Sequence, residues 1–219
     1  MHYARKTRVL LAALLVFGLP ATVAAQSSEF SVDVHAGLSQ PLGTLGDLTT
    51  NGGAFGAGLV WHFNQHVAVR GDFVLNRLDN GLDDAGLLLS PPIDLTYMGG
   101  GLELNFGSPK YQDLPMTFAF NVGVGVTKMD VDETFSPIHP ANGIDESYLT
   151  FTFGGQVGYQ VIRQGSMRLN VFLKAQPNLI LVDGADMLPF SQLLGSDPFD
   201  SVWVLPLTLG GRVTFGGDH

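Results

Sequence analysis

Three polar residues near the start of the chain have the side-chain types of a hydrolytic site. Asp33, His35 and Ser39 lie at even spacings in a segment of alternating residues, so they share one face of a predicted strand. Residues two apart on a strand stand about 6.6 Å apart, whereas a nucleophile and its base must approach to about 3 Å. Unless other strands contribute, we expect a polar interior histidine and no enzyme.

Charged residues within the predicted strands form a second set. All occupy the polar parity of their strands, and they are Asp33, Arg70, Asp72, Glu103, Arg168, Lys174 and Arg212. Because a lipid-facing Arg or Lys near the bilayer midplane would cost about 2 to 4 kcal/mol, we expect these side chains to meet in an interior. There the bases and acids can pair and form a structural plug. A charged permeation pathway is the alternative.

Four predicted connections are acidic and contain no Lys or Arg. They are residues 40–52, 78–92, 129–147 and 182–200. The thirteen carboxylates are Asp47, Asp79, Asp83, Asp84, Asp130, Asp132, Glu133, Asp145, Glu146, Asp183, Asp186, Asp197 and Asp200. Divalent cations such as Ca²⁺ and Mg²⁺ prefer oxygen ligands of this kind, but no complete binding loop is present. Solvated acidic loops are the favoured interpretation, and divalent cations bound there are the alternative.

Other cofactor and partner chemistries lack support in the sequence. Cysteine is absent, which removes disulfides and thiolate metal sites. His35, His62, His66 and His139 do not have the spacing of metal ligands. Since no phosphate-binding loop and no basic patch occurs, we predict no cofactor and no nucleic-acid partner.

Eight stretches of period-two alternation must position all these residues, and each has one apolar and one polar parity. The predicted strands are Phe30–Leu38, Ala54–Phe63, Val67–Asn76, Asp94–Phe106, Met116–Thr127, Leu149–Tyr159, Met167–Gln176 and Trp203–Phe215. Residues are 45% hydrophobic, yet no apolar run after Leu19 approaches the length of a membrane helix. The pattern predicts an all-β fold, an eight-stranded antiparallel up-and-down transmembrane β-barrel.

Two places in the strand pattern call for irregular backbone. The apolar parity changes in the fourth strand between Tyr97 and Leu102, and a glycine-rich bulge at Gly99–Gly101 would absorb the slip. Pro177 and Pro206 each remove a donor from the ladder. We therefore expect Pro177 to end its strand and Pro206 to sit in a local bulge.

Outward aromatic residues gather near both ends of the predicted strands, like the interfacial girdles of membrane barrels. The girdle residues are Phe30, Trp61, Phe63, Phe106, Phe118, Tyr159, Trp203 and Phe215. The alternative is a soluble barrel such as a lipocalin, with inside and outside exchanged. The polar parity is mostly Gly, Thr, Asn and Gln instead of the Lys and Glu of a solvated face, which favours the membrane barrel.

The connections and the N-terminus indicate the location. Long connections follow the first, third, fifth and seventh strands. The start of the first strand and the end of the last strand should therefore lie on the periplasmic side. Arg5, Lys6 and Arg8 precede an apolar stretch at Val9–Leu19 and the small residues Val23–Ala25. These features predict a cleaved signal peptide at 1–25 and one barrel domain at 26–219.

The pattern resembles the small eight-stranded outer-membrane barrels of the OmpA/OmpX-like group over essentially all of the mature chain. Specific similarities are the Gly53–Leu59 entry to the second strand and a closing strand that ends in Phe215. The residues 216–219 that follow are a departure, since the family usually stops at the aromatic residue. The resemblance implies an integral protein of the bacterial outer membrane.

We therefore expect a monomer in contact with outer-membrane lipid and lipopolysaccharide. The leading functional prediction is a structural, adhesive or envelope-interaction role through the acidic outer loops. A small porin-like channel for small or hydrophobic solutes is the first alternative. A lipid-A-modifying enzyme is the second.

Overall fold

The computed structural model describes residues 29–79, 81–82, 88–90, 92–106, 115–131, 144–184 and 201–216. The predicted signal peptide and most carboxylates of the long connections lie outside these residues. Within the described ranges, no helix has the length and apolar character to cross a bilayer.

Alternating residues form strands over nearly all of the described chain. The elements are β1 (Glu29–Leu42), α1 (Thr44–Leu48), β2 (Thr50–His62), β3 (Val67–Asp79), β4 (Gly81–Leu82), β5 (Leu88–Ser90), β6 (Ile93–Phe106), β7 (Met116–Val131), β8 (Asp145–Gln164), β9 (Met167–Ala175), β10 (Asn178–Leu181) and β11 (Ser201–Phe215). The short strands β4 and β5 pair with each other in the connection from β3 to β6.

The long strands close into an antiparallel ring with eight strand positions, here called walls, because β9 and β10 lie in line and share one position. This ring confirms the predicted fold. The order is β1, β2, β3, β6, β7, β8, then β9 with β10 as one wall, then β11, which pairs with β1. Following registered partners from Ser31 around the ring leads back to β1 at Pro41, ten residues further along. Strands must therefore tilt, as closure of a barrel requires.

The outer face of the barrel is apolar, and the inner face carries the polar residues. Outward side chains that are more than half exposed include Val34, Phe55, Leu59, Trp61, Met98, Phe106, Tyr159, Leu173 and Leu209. Inward side chains include Asp33, Arg70, Glu103, Asn121, Lys174 and Arg212, all buried. Such a wall matches lipid outside and polar groups inside, and it is the reverse of a soluble barrel.

The bulge predicted at Gly99–Gly101 is wrong. β6 pairs with β3 and with β7 without any register shift, so its parity is the same throughout. Leu95 and Tyr97 point inward and are 1% exposed, because the interior is apolar near this end of the barrel. The register shifts of the barrel lie elsewhere, between Thr50 and Gly53 and between Gln160 and Ile162.

Of the two proline predictions, the one for Pro206 is also wrong. Pro206 lies opposite Ser39 in an uninterrupted register, so no bulge surrounds it. β9 ends at Ala175, just before Pro177, as predicted, and pairing with β11 resumes in β10 in the same register. The two carbonyls still accept ladder bonds: Gln176 N–H donates to Pro206 at 3.1 Å and Phe153 N–H to Pro177 at 3.2 Å. The barrel thus accommodates the lost donors in place.

An apolar cluster fills the barrel interior at the end that bears the long connections, here called the outer end. We call this cluster the apolar plug, and it consists of Leu45, Leu78, Ile93, Leu95, Met129, Val131, Tyr148, Ile180, Val182, Val202 and Val204. Leu45 belongs to α1, which follows β1 and contributes its side chain to the interior. The opposite end, with the short connections, Phe30 and Phe215, is the periplasmic end.

Candidate functional site

Six of the seven predicted strand charges meet inside the barrel. We call them the ion-pair layer: Asp33, Arg70, Asp72, Glu103, Lys174 and Arg212, none more than 6% exposed. They come from β1, β3, β6, β9 and β11, so the layer connects walls all around the ring. With as many acids as bases, it is formally neutral. Buried charges require such pairing.

Arg70 is the first centre of the layer. Its Nε donates to Asp72 Oδ2 at 2.6 Å, and its Nη2 also bonds the same carboxylate. Its Nη1 donates to Glu103 Oε2 at 2.6 Å, and Nη2 reaches Asp33 Oδ2 at 3.5 Å. One guanidinium therefore contacts all three acids.

Arg212 is the second centre. It donates to Glu103 through Nη1 at 2.7 Å and Nη2 at 2.9 Å, a bidentate pair. Nη2 and Nε also reach Asp33 Oδ2 at 3.0 and 3.2 Å. The amide oxygen of Gln156 accepts from Nη2 at 3.3 Å, and the Phe172 ring centroid lies 5.9 Å from the guanidinium carbon.

Lys174 and Arg168 have different positions. Lys174 Nζ donates to Asp72 Oδ1 at 3.3 Å and so belongs to the layer. Arg168 does not join it, contrary to expectation, because it pairs with Glu29 towards the periplasmic end. Glu29 had the same parity as Asp33 in the sequence but lay just before the predicted first strand, which is why it was missed.

Glycines on β2 make room for the layer. Gly58 lies between Asp33 and Asp72 in register, and a Cβ there would stand 2.6 Å from Asp33 Oδ1 and 2.8 Å from Arg70 Nη2. A Cβ at Gly56 would stand 2.6 Å from His35 Nε2. The small residues of this strand thus allow side chains of β1 and β3 to meet in front of it.

Two further lumenal residues belong to this site but were not predicted from the sequence. Gln156 was assigned to the polar parity of its strand, but nothing local showed that it would reach Arg212. Phe172 is an apolar residue on an inward position of β9 and is 1% exposed. Its alternation with Asn170 and Lys174 was the available signal, since all three share one parity.

The predicted aromatic residues lie around both ends of the barrel. Those that are exposed on strands near the periplasmic end are Phe30, Trp61, Phe106, Phe118, Tyr159 and Phe215. Phe63 lies in the turn after β2, with its ring centroid 6.1 Å from that of Trp61. Trp203 lies near the outer end and packs edge-on against Phe153 at 5.9 Å.

The residues of the hydrolytic alternative are buried but do not form a triad. In the described part of the chain, His35 has no hydrogen-bond partner at either ring nitrogen, and Ser39 Oγ has none. His62 instead bonds Ser31 through Nε2 and Oγ at 3.0 Å. A nucleophile held by its base is therefore not present at Ser39 and His35.

The acidic connection 40–52 is described in full and has one carboxylate, Asp47 on α1, whereas the other three are described only in part. Lys128 contacts Asp145 at 2.8 Å and Asp130 at 3.5 Å on the outer ends of β7 and β8. Carboxylates such as Asp83, Asp132 and Asp197 lie outside the described residues. A divalent-cation site in these loops therefore stays a prediction.

Comparison with known proteins supports the fold. Neither a protein-family model nor a curated protein matches the chain. Neisserial surface protein A is 12% identical, covers 86% of this chain and 99% of its own, and has a TM-score of 0.51. Outer membrane protein OprG of Pseudomonas aeruginosa is 9% identical, covers 89% and 97%, and has a TM-score of 0.49. Ail, the attachment invasion locus protein of Yersinia pestis, is 16% identical, covers 86% and 98%, and has a TM-score of 0.42.

The likeness to Neisserial surface protein A and the apolar outer face of the barrel together define the fold class. The chain has the fold of the small eight-stranded outer-membrane β-barrels, with an apolar exterior for lipid and a polar lumen. The apolar exterior is suited to contact with lipid.

Proposed function

We propose that this protein is a closed outer-membrane barrel with a structural or envelope-interaction role, its scaffold anchored in lipid and its acidic loops presented outside. The observation that carries the proposal is the ion-pair layer. Arg70 and Arg212 each contact Glu103 and Asp33, so two guanidinium groups cross-link walls on different sides of the lumen. An eight-stranded barrel encloses a space that side chains of this size can fill.

The apolar plug supports the same function from the outer side. Leu78, Ile93 and Leu95 are no more than 1% exposed, although they face the interior of a barrel that holds the ion-pair layer further along. A hydrated ion entering from outside would have to pass tightly packed apolar side chains before reaching the charged residues. Such a passage is unfavourable because ions lose hydration without gaining a partner.

Planar-bilayer recording tests the proposal directly. Purified, folded protein should give no steady conductance, and its inserted state should be verified by heat-modifiable mobility on SDS gels. A stable, ion-selective conductance of the wild type would contradict the closed barrel and favour the porin-like alternative.

The enzyme alternative has its own test. The mass of lipid A should be the same in cells that express the protein and in cells that lack it. A reproducible change in that mass would replace the structural proposal with lipid modification. His35→Ala would then show whether the buried histidine takes part.

A further inference from the structure

A group of possible metal ligands lies at the edge of the ion-pair layer. Asp33, His35 and Asp72 each offer a ligand atom, and these atoms all lie within 4.8 Å of one another. All three residues are buried, with His35 only 3% exposed. The spacing of histidines along the sequence does not predict this group, because Asp72 comes from β3 and the other two residues come from β1.

Unpartnered polar atoms belong to two of these three residues. Asp33 Oδ1 and both ring nitrogens of His35 have no hydrogen-bond partner among the described residues. The other oxygen of Asp33 accepts from Arg70 and Arg212, so only Oδ1 is free. Buried polar atoms are seldom left without a partner, so Asp33 Oδ1 and one nitrogen of His35 are available to a bound species.

The strand register holds the group in place. Asp33 and His35 are two residues apart and share the inner face of β1. Gly58 pairs with both Asp33 and Asp72, and Gly56 pairs with His35. Since these glycines put no side chain between β1 and β3, the carboxylates and the imidazole meet in front of β2.

We propose that Asp33, His35 and Asp72 bind one divalent first-row transition-metal ion, with Zn²⁺ as the representative case. One imidazole nitrogen and two carboxylate oxygens are suitable ligands for such ions, and water can complete the coordination. The mixed nitrogen and oxygen set favours these metals over Ca²⁺ or Mg²⁺, which prefer oxygen alone. This site is separate from the acidic loops and goes beyond the closed-barrel function.

Neighbouring cations oppose the metal and provide a specific test. Lys174 Nζ lies 3.3 Å from Asp72 Oδ1, and Arg70 bonds the same carboxylate. A metal ion at Asp72 competes with the lysine for this oxygen. Replacing Lys174 with a neutral residue should therefore strengthen metal binding, whereas loss of a purely structural residue would not.

The experiment uses the folded mature protein in detergent, treated with a chelator and then titrated with Zn²⁺ by calorimetry. We expect one Zn²⁺ per chain, with an affinity that falls about tenfold or more in His35→Ala and rises in Lys174→Gln. His62→Ala is the half-buried control, since His62 bonds Ser31, and His66→Ala is the exposed one. Both controls should bind Zn²⁺ like the wild type.

A spectroscopic signal separates coordination from a change in folding. Co²⁺ added to the wild type should give visible absorption bands that Zn²⁺ displaces and that His35→Ala lacks. His35→Asn serves if the alanine variant does not fold. Failure of folded wild type to bind Zn²⁺ one-to-one, or binding that the His35 variants leave unchanged, would overturn the proposal. Neither result would bear on conductance, so the closed-barrel function is tested independently.

Discussion

Arg212 and Glu103 lie on opposite sides of the barrel, four walls apart in either direction, and still form a bidentate pair at 2.7 and 2.9 Å. β11 and β6 are thus connected through the lumen as well as through the hydrogen-bonded wall. Because both side chains are almost fully buried, neither has water as an alternative partner. Loss of one would leave the other charged, buried and incompletely paired.

Arg212→Ala should therefore lower the free energy of unfolding by about 3 to 5 kcal/mol, the usual cost of removing one member of a buried pair. Arg77→Ala is the control, since Arg77 and Asp94 are largely exposed and 3.8 Å apart. That variant should change the free energy by about 1 kcal/mol or less. Urea unfolding in lipid vesicles measures both. Equal effects would mean that the layer does not stabilise the barrel.

Gly58→Ala tests the space that β2 leaves for the layer. Its new Cβ would overlap Asp33 and Arg70, and the overpacking should destabilise the barrel by about 1 to 3 kcal/mol. Gly53→Ala on the same strand has no atom within 4 Å of its Cβ and should stay within about 0.5 kcal/mol of the wild type. Thermal unfolding followed by circular dichroism compares them. A harmless Gly58→Ala would show that the side chains can move aside.

Val122→Arg tests the lipid-facing side of β7. Val122 is 44% exposed on the outer wall, and an arginine near the midplane should cost about 2 to 4 kcal/mol. Glu146→Arg, exposed at the outer end of β8, is the matched control and should cost about 1 kcal/mol or less. The folded fraction on unboiled SDS gels gives the readout. Similar folding of both variants would argue against lipid contact at Val122.

The ion-pair layer and the apolar plug both close the lumen, so ions should pass only when both are disrupted. Arg212→Ala with Glu103→Ala removes one acid and one base, so the formal charge of the layer stays balanced. This pair alone should leave the bilayer conductance close to zero, because the apolar plug remains. Adding Leu95→Ala and Tyr148→Ala from the plug should then produce a measurable conductance. A steady current from the charge variant alone would show that the plug is no barrier to ions.

Several features of the fold were predictable because they depend on local alternation. Lipid selects one parity of every strand, so residues such as Leu59 and Leu173 could be placed outside without knowing their neighbours. Connection lengths predict in the same way which end of the barrel faces the periplasm, and this orientation stays a prediction. These inferences are insensitive to errors of one or two residues at the strand ends.

Errors arose where a local rule was applied to an interior that changes along the barrel. Leu95 and Tyr97 were assigned outside because they are apolar, and a bulge was needed to explain them. The interior at their level is itself apolar, so the strand continues without a shift. Pro206 likewise needed no bulge, because its wall retains the remaining ladder bonds around it.

The sequence by itself determined the architecture, the lipid face and the charged residues that belong inside. Only the tertiary structure decided which of those charges meet: Arg212 reaches Glu103 across the ring, Arg168 pairs with Glu29, and Asp72 comes beside His35. The physical reason is that each residue's height in the lumen depends on the register summed over all the walls, which amounts to ten residues on closure. Alternation fixes the face of each residue but carries no information about that sum.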